Sequence, residues 1–151
     1  MPKINKVAHV VFAVADVEKS KAFYQDVLGM ELISDRPDQG PSAFLSFGSQ
    51  HHDVALFEAP AGAKRGELGL IHAALQLDGD TDELKKMVAH LEAHGVKVSS
   101  PVTHGITNSV YFADPDGHTL EIYSEAFPTR EEGLTYMRTQ EGYGITDPIT
   151  L

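Results

Sequence analysis

Bulky apolar side chains alternate with small or polar ones over residues 7–14 (VAHVVFAV), placing Val10, Phe12 and Val14 on one face and His9, Val11 and Ala13 on the other. Alternation with period two predicts a half-buried strand. The period then lengthens. Asp16 is placed to cap a helix to about Leu28, with Val17, Phe23, Tyr24, Val27 and Leu28 largely on one side and Gly29 as its stop. Three strand-like runs follow: MELIS, SAFLSFG and HDVALFEA. After the loop PAGAKRGE the same order restarts with LIHAALQL as a strand. A helix from about Thr81 to His94 then carries Leu84, Met87, Val88 and Leu91 inward and stops at Gly95. Further strands are predicted at VKVSS, NSVYFAD and HTLEIYS, the last two joined by the turn DPDG. In that turn Pro115 presets φ, Gly117 can take a positive one, and Asp114 and Asp116 read as turn formers, not as acids.

The two passes form a duplicated β-α-β-β-β pattern, module one at about residues 4–60 and module two at about 67–125, and the fold class expected is α+β. Each copy begins on a strand that carries a histidine, His9 in the first and His72 in the second. In the second copy Ala73, Leu75 and Leu77 form one face and His72, Ala74 and Gln76 the other. In HTLEIY, Leu120 and Ile122 oppose Thr119, Glu121 and Tyr123. His9, His72 and Glu121 therefore all lie opposite the bulky face. If the helices cover that face, the three side chains project from the other, where a curved sheet forms a cup.

Length and charge narrow the reading. A chain of 151 residues can build one well-packed core and needs no second independent domain. With 22 acidic against 12 basic residues the formal charge is −10, and the only basic runs are the pairs Lys85-Lys86 and Lys64-Arg65. A nucleic-acid or anionic-membrane partner is thereby disfavoured. No apolar run approaches a membrane span and the N-terminus enters a strand, so a cytoplasmic location is expected. There are no cysteines, so any metal must be held by histidine and carboxylate, and eight histidines are available.

Two imidazoles and a carboxylate brought together would make a facial triad, which leaves half of a divalent metal's coordination sphere open to substrate. A carboxylate flanked by Leu120, Ile122 and Tyr123 is costly to bury alone, so metal, an arginine or solvent must satisfy it.

The paired modules, the phrase FYQDVLGMEL and the ending YFADPDGHTLEIY resemble the vicinal oxygen chelate superfamily. That superfamily includes glyoxalase I, fosfomycin-resistance enzymes, bleomycin-binding proteins and extradiol ring-cleavage dioxygenases. The likeness spans roughly residues 4 to 125. It implies two βαβββ modules whose sheets enclose a metal site, with His9, His72 and Glu121 at the ligand positions. The segments HHDVALFE and THGITNSVYFADPDGH resemble the extradiol dioxygenase branch. By that likeness His52 is the acid/base, His104 a hydrogen-bonding group of the substrate pocket, and Tyr111 a donor to the bound diolate. The implied reaction is cleavage of a catechol-type ring by dioxygen, with Fe(II) as the metal and Mn(II) or another divalent ion as the substitute. A histidine of near-neutral pKa suits the proton transfers this requires, and a tyrosine hydroxyl can donate without ionising. His51 and His118 read as ordinary solvated residues.

Other members of the superfamily define the alternatives. Glu58 follows His9 at the same spacing as Glu121 follows His72, and a site of two His and two Glu would resemble glyoxalase I, an isomerase. A one-residue slip of HDVALFE would move Glu58 to the opposite face. A fosfomycin-type transferase would leave His52 and His104 unexplained. A bleomycin-type binding protein would need no triad, and this chain has no tryptophan to stack on such a drug. The tail from Ala126 to Leu151 falls outside the modules, with a short helix near Arg130 to Met137 and then an irregular arm. Capping of the cleft, crossing to a second subunit and terminal disorder all fit that composition. A homodimer is expected by analogy.

Overall fold

The computed structural model describes residues 9–35, 40–49, 51–64, 70–139 and 146–151. Val7 and Ala8 of the expected first strand, Arg65 and the arm at 140–145 lie outside the described residues. The chain divides into two compact units, Met1–Gly69 and Leu70–Leu151.

The first unit contains β1 (Val10–Val14), α1 (Val17–Asp26), β2 (Glu31–Asp35), β3 (Ser42–Ser46) and β4 (Val54–Glu58). Its sheet has the order β1-β4-β3-β2, with β1 parallel to β4 and the other pairs antiparallel. The second unit contains β5 (Ala73–Gln76), α2 (Thr81–Ala93), β6 (Val102–Thr103), β7 (Thr107–Ala113), β8 (Thr119–Glu125), α3 (Arg130–Thr139) and β9 (Asp147–Pro148). Its sheet has the order β5-β8-β7-β6-β9, again with the first strand parallel to its neighbour. The fold is α+β with two mixed sheets, as the repeated pattern predicts.

Local chemistry sets the helix ends. Asp16 has extended backbone and its carboxylate accepts the Lys19 N–H at 3.0 Å, satisfying one of the donors a helix start leaves open. Asp80 does the same for α2, accepting from the N–H groups of Asp82 and Glu83. Gly29, at φ +70°, lets the chain turn out of α1 into β2.

In each unit one sheet face is covered. α1 packs on β2, β3 and β4, and Phe12, Val14, Leu45, Val54 and Leu56 are buried beneath it together with Val17 and Tyr24. α2 packs on β7 and β8, closing Leu84 and Leu91 over Val110, Phe112, Leu120 and Ile122. Each such leucine contributes about 1.5–3 kcal/mol by leaving water. The alternation read from the sequence is borne out on β1, where Phe12 and Val14 are buried while Val11 remains 55% exposed.

The segment VKVSS is not a strand. It runs beside β7, where Ser99 N donates to Tyr111 O at 2.8 Å, but the returning bond from Tyr111 N goes to the Ser99 hydroxyl. A side chain thus takes the place of a ladder carbonyl, and Pro101, lacking an N–H, cannot extend a ladder either. Regular pairing begins only at Val102. Among the described residues no helix is long and apolar enough to cross a membrane.

Candidate functional site

The strand registers match the two units residue by residue. Val10 pairs with Val54 in the first, and Ala73 pairs with Leu120 in the second. His9 and His72 immediately precede those pairs and are therefore equivalent. One step along, Val11 pairs with Ala55 and Ala74 with Glu121, so the counterpart of Glu121 is Ala55. Phe44 lies opposite Ala55 and Tyr111 opposite Glu121, which makes Phe44 the counterpart of Tyr111. By the same register His52 matches His118. Glu58 closes β4 at an exposed position, paired with Val14. It lies an odd number of residues from Ala55 and so on the opposite face.

The second unit gathers four of the expected site residues. Glu121 is 6% exposed, and His72 Nε2 stands 3.1 Å from its carboxylate oxygen. The His72 ring meets Tyr111 edge-on at 5.6 Å. Burial, the charge of Glu121 and a hydrogen bond to it raise the Tyr111 pKa, keeping the hydroxyl protonated near neutral pH. Tyr111 Oη is in turn 2.7 Å from His104 Nε2. Carboxylate, phenol and two imidazoles thus form one connected cluster on the uncovered face of the sheet. Tyr123, next along that face of β8, has its pKa raised by burial and by the charges of Glu125 and Glu121.

The first unit brings His9 and His52 together, with ring centroids 4.4 Å apart. Phe44 meets His52 edge-on at 5.4 Å, and His51 Nδ1 lies 2.6 Å from His52 Nδ1. Burial, then the neighbouring imidazoles of His9 and His51, lower the His52 pKa against the opposing pull of Asp53. His52 therefore favours the neutral form, which can accept a proton.

The donor set suits a hard or borderline divalent cation: a buried carboxylate with an imidazole nitrogen converging on the same space. Among the described residues no group of three or more His, Asp or Glu side chains stands close enough together to hold a metal.

Some local readings are corrected. His118 is not simply solvated. Its Nδ1 lies 2.8 Å from Asp114 Oδ2, while Asp114 Oδ1 accepts the N–H groups of Asp116 and His118. Asp114 is the turn former expected, and His118 is part of that staple. His51, in contrast, is exposed as expected. Sequence reasoning missed Phe44 and Thr146; the latter places its Oγ1 3.3 Å from His104 Nδ1. Phe44 could have been found by laying β3 over β7 once the registers were known. Nothing in the local sequence marks Thr146.

The model of the Glyoxalase/Bleomycin resistance protein/Dioxygenase superfamily matches residues 6–122. The chain is 33% identical over 140 residues to biphenyl-2,3-diol 1,2-dioxygenase 3 of Rhodococcus globerulus, covering 90% of this chain and 72% of that protein. It is 31% identical over 123 residues to a lactoylglutathione lyase of Neisseria meningitidis, covering 78% and 88%. Among solved structures, an integron cassette protein from the Halifax Harbour sewage outfall metagenome superposes with a TM-score of 0.65 at 28% identity, covering 80% of this chain and 99% of that one. Family model, relatives and fold agree, and the chain belongs to the glyoxalase/bleomycin resistance/dioxygenase superfamily, the vicinal oxygen chelate proteins.

Proposed function

We propose that this protein is an extradiol dioxygenase, opening the ring of a catechol-type substrate with dioxygen. The observation that carries the reading is the connected set His72, Glu121, Tyr111 and His104 in the second unit. A hydrolase or a passive binding protein has no need of a neutral phenol held between a buried carboxylate and an imidazole. The similarity to biphenyl-2,3-diol dioxygenases supports the same choice.

His72 and Glu121 would hold the metal, Fe(II) in this reading or Mn(II) in its place, with His9 as the third ligand. The bound metal supplies redox activation of dioxygen toward the catechol. The protein's own residues supply the proton chemistry. His52, held neutral, accepts a proton from one catechol hydroxyl and returns it later in the cycle. Tyr111 donates its hydroxyl hydrogen to a substrate oxygen, and His104 fixes the direction of that hydroxyl. Phe44 and Phe57, ring to ring at 5.8 Å on the uncovered face of the first sheet, offer an apolar wall suited to an aromatic ring. A homodimer is part of this reading by analogy only.

The isomerase reading needs a fourth ligand from the first unit. The place matching Glu121 holds Ala55, whose methyl cannot ligate, and Glu58 falls on the other face. Anaerobic reconstitution with Fe(II), followed by exposure to air and a panel of catechols, tests the proposal. Oxygen uptake with a coloured ring-opened product is expected. No uptake with any catechol, together with turnover of a thiohemiacetal, would replace the dioxygenase by the isomerase.

A further inference from the structure

We infer that His90 and His94, at the end of α2, form a second metal site, a two-histidine chelate for a divalent cation of the nickel, copper and zinc group. Side chains four residues apart on a helix stand one above the other on the same face. Here both residues are exposed, and their ring centroids are 4.3 Å apart with the planes inclined at 46°. A cation held at about 2.0–2.1 Å by one nitrogen of each ring needs those nitrogens roughly 3 Å apart, a spacing that rings at this separation can supply.

The end of the helix prepares one of the ligands. His94 is the C-cap residue of α2, and its backbone N–H donates to His90 O at 3.2 Å and to Leu91 O at 3.1 Å. Its ring Nδ1 lies 2.9 Å from the same His90 carbonyl oxygen. A carbonyl only accepts, so Nδ1 carries the hydrogen, and in the neutral ring Nε2 is left as a lone pair. Histidines that bind metals are commonly held in this way, the second nitrogen donating to a backbone carbonyl. His90 has two ring nitrogens, so a partner on one leaves the other to ligate.

The surroundings favour a cation. The last turn of a helix carries partial negative charge on its carbonyls, and the chain as a whole carries a formal charge of −10. Imidazole suits nickel, copper and zinc, whereas magnesium, calcium and manganese suit oxygen donors. Two protein ligands leave the other coordination positions to water. α2 turns Leu84 and Leu91 inward onto β7 and β8, on the side of the sheet opposite Glu121 and Tyr111. The pair is therefore separated from the candidate centre by the sheet, and the inference does not depend on the dioxygenase reading.

Titration of the untagged full chain with Ni(II), followed by NMR of the histidine rings, tests the site. The His90 and His94 ring signals should broaden together at the same Ni(II) concentration, in wild type and in Glu121→Gln alike. His90→Gln and His94→Gln should each raise the Ni(II) concentration needed to broaden the remaining ring by at least about tenfold. His90→Gln keeps the carbonyl that holds the His94 ring, so its loss is that of a ligand and not of the helix end. The double variant His90→Gln/Ala89→His keeps the number of histidines but moves one off the shared face, and should not recover binding. Ring signals of the pair that stay sharp while those of other histidines broaden would overturn the inference. So would unchanged Ni(II) response in both single variants, recovery in the double variant, or loss of the response in Glu121→Gln.

Discussion

Tyr111 faces Glu121 directly across the β7–β8 ladder, and at the equivalent places of the first unit stand Phe44 and Ala55. One backbone arrangement thus carries a phenol and a carboxylate in one copy and their apolar counterparts in the other. The duplication supplies the scaffold twice, but the second unit carries most of the polar chemistry. Since a phenylalanine already occupies this place in the first unit, Tyr111→Phe should fold normally and bind metal as before. It loses a donor to the substrate oxygen and an acceptor for His104, so kcat for catechol cleavage should fall about 10²-fold. Oxygen-uptake kinetics on metal-loaded protein check this, and wild-type turnover by the variant would remove Tyr111 from the mechanism.

The same register separates the two glutamates. Glu121→Gln replaces a buried anion beside His72 with a neutral amide and should weaken Mn(II) affinity by at least about tenfold. Glu58→Gln alters an exposed strand end on the opposite face and should leave affinity unchanged. Calorimetric titration of both variants with Mn(II) measures the contrast. Equal losses would restore the four-ligand isomerase site.

His52 packs against His9 and edge-on to Phe44, a space that a phenyl ring can fill. His52→Phe should therefore retain the metal and lose most turnover, about 10²-fold, because the proton acceptor is gone. Metal content and kcat measured on the same preparation decide the matter. Loss of the metal instead would make His52 a support for the ligand set and not the acid/base.

The fold was legible because it rests on short-range signals. Period-two runs, Asp caps and glycine stops mark β1, α1, α2, β7 and β8 within a few residues of where they occur. The segment VKVSS failed because its alternation is real but its partner bond goes to the Ser99 side chain, which no pattern of apolar positions reveals. The spacing of Glu58 is a weak guide for a related reason. Equal sequence separations in two modules match only if the intervening loops are equal, and the register sets Ala55, three residues earlier, at the place of Glu121. Thr146 was invisible because its proximity to His104 is created by β9 returning to β6, a pairing of only two residues a long way along the chain.

Asp114 illustrates a residue whose role is purely architectural. Its side chain is buried, and its two oxygens take two backbone N–H groups and the His118 ring. Asp114→Ala strands these donors in the turn that aligns β7 with β8, at a cost of about 2–3 kcal/mol. Denaturant unfolding should show a lower midpoint with an unchanged slope. Asp114→Asn, which keeps an acceptor for the backbone N–H groups, should recover part of the loss.

Gly105 concentrates two demands in one residue. Its φ of +80° is strained for any side chain, and the Tyr136 hydroxyl occupies the space a Cβ would need. Gly105→Ala is expected to cost about 1–3 kcal/mol, from the backbone conformation and from displacing α3. The two contributions are separable. In the double variant Gly105→Ala/Tyr136→Phe the closest overlap, with the hydroxyl, is removed while the ring-carbon overlaps and φ remain, so the double variant should be more stable than Gly105→Ala alone but less stable than wild type. Thermal unfolding of the four proteins of the cycle measures the coupling. Strict additivity would mean that Tyr136 does not close on the His104 turn in solution, and that the extension reaches the site through Thr146 alone.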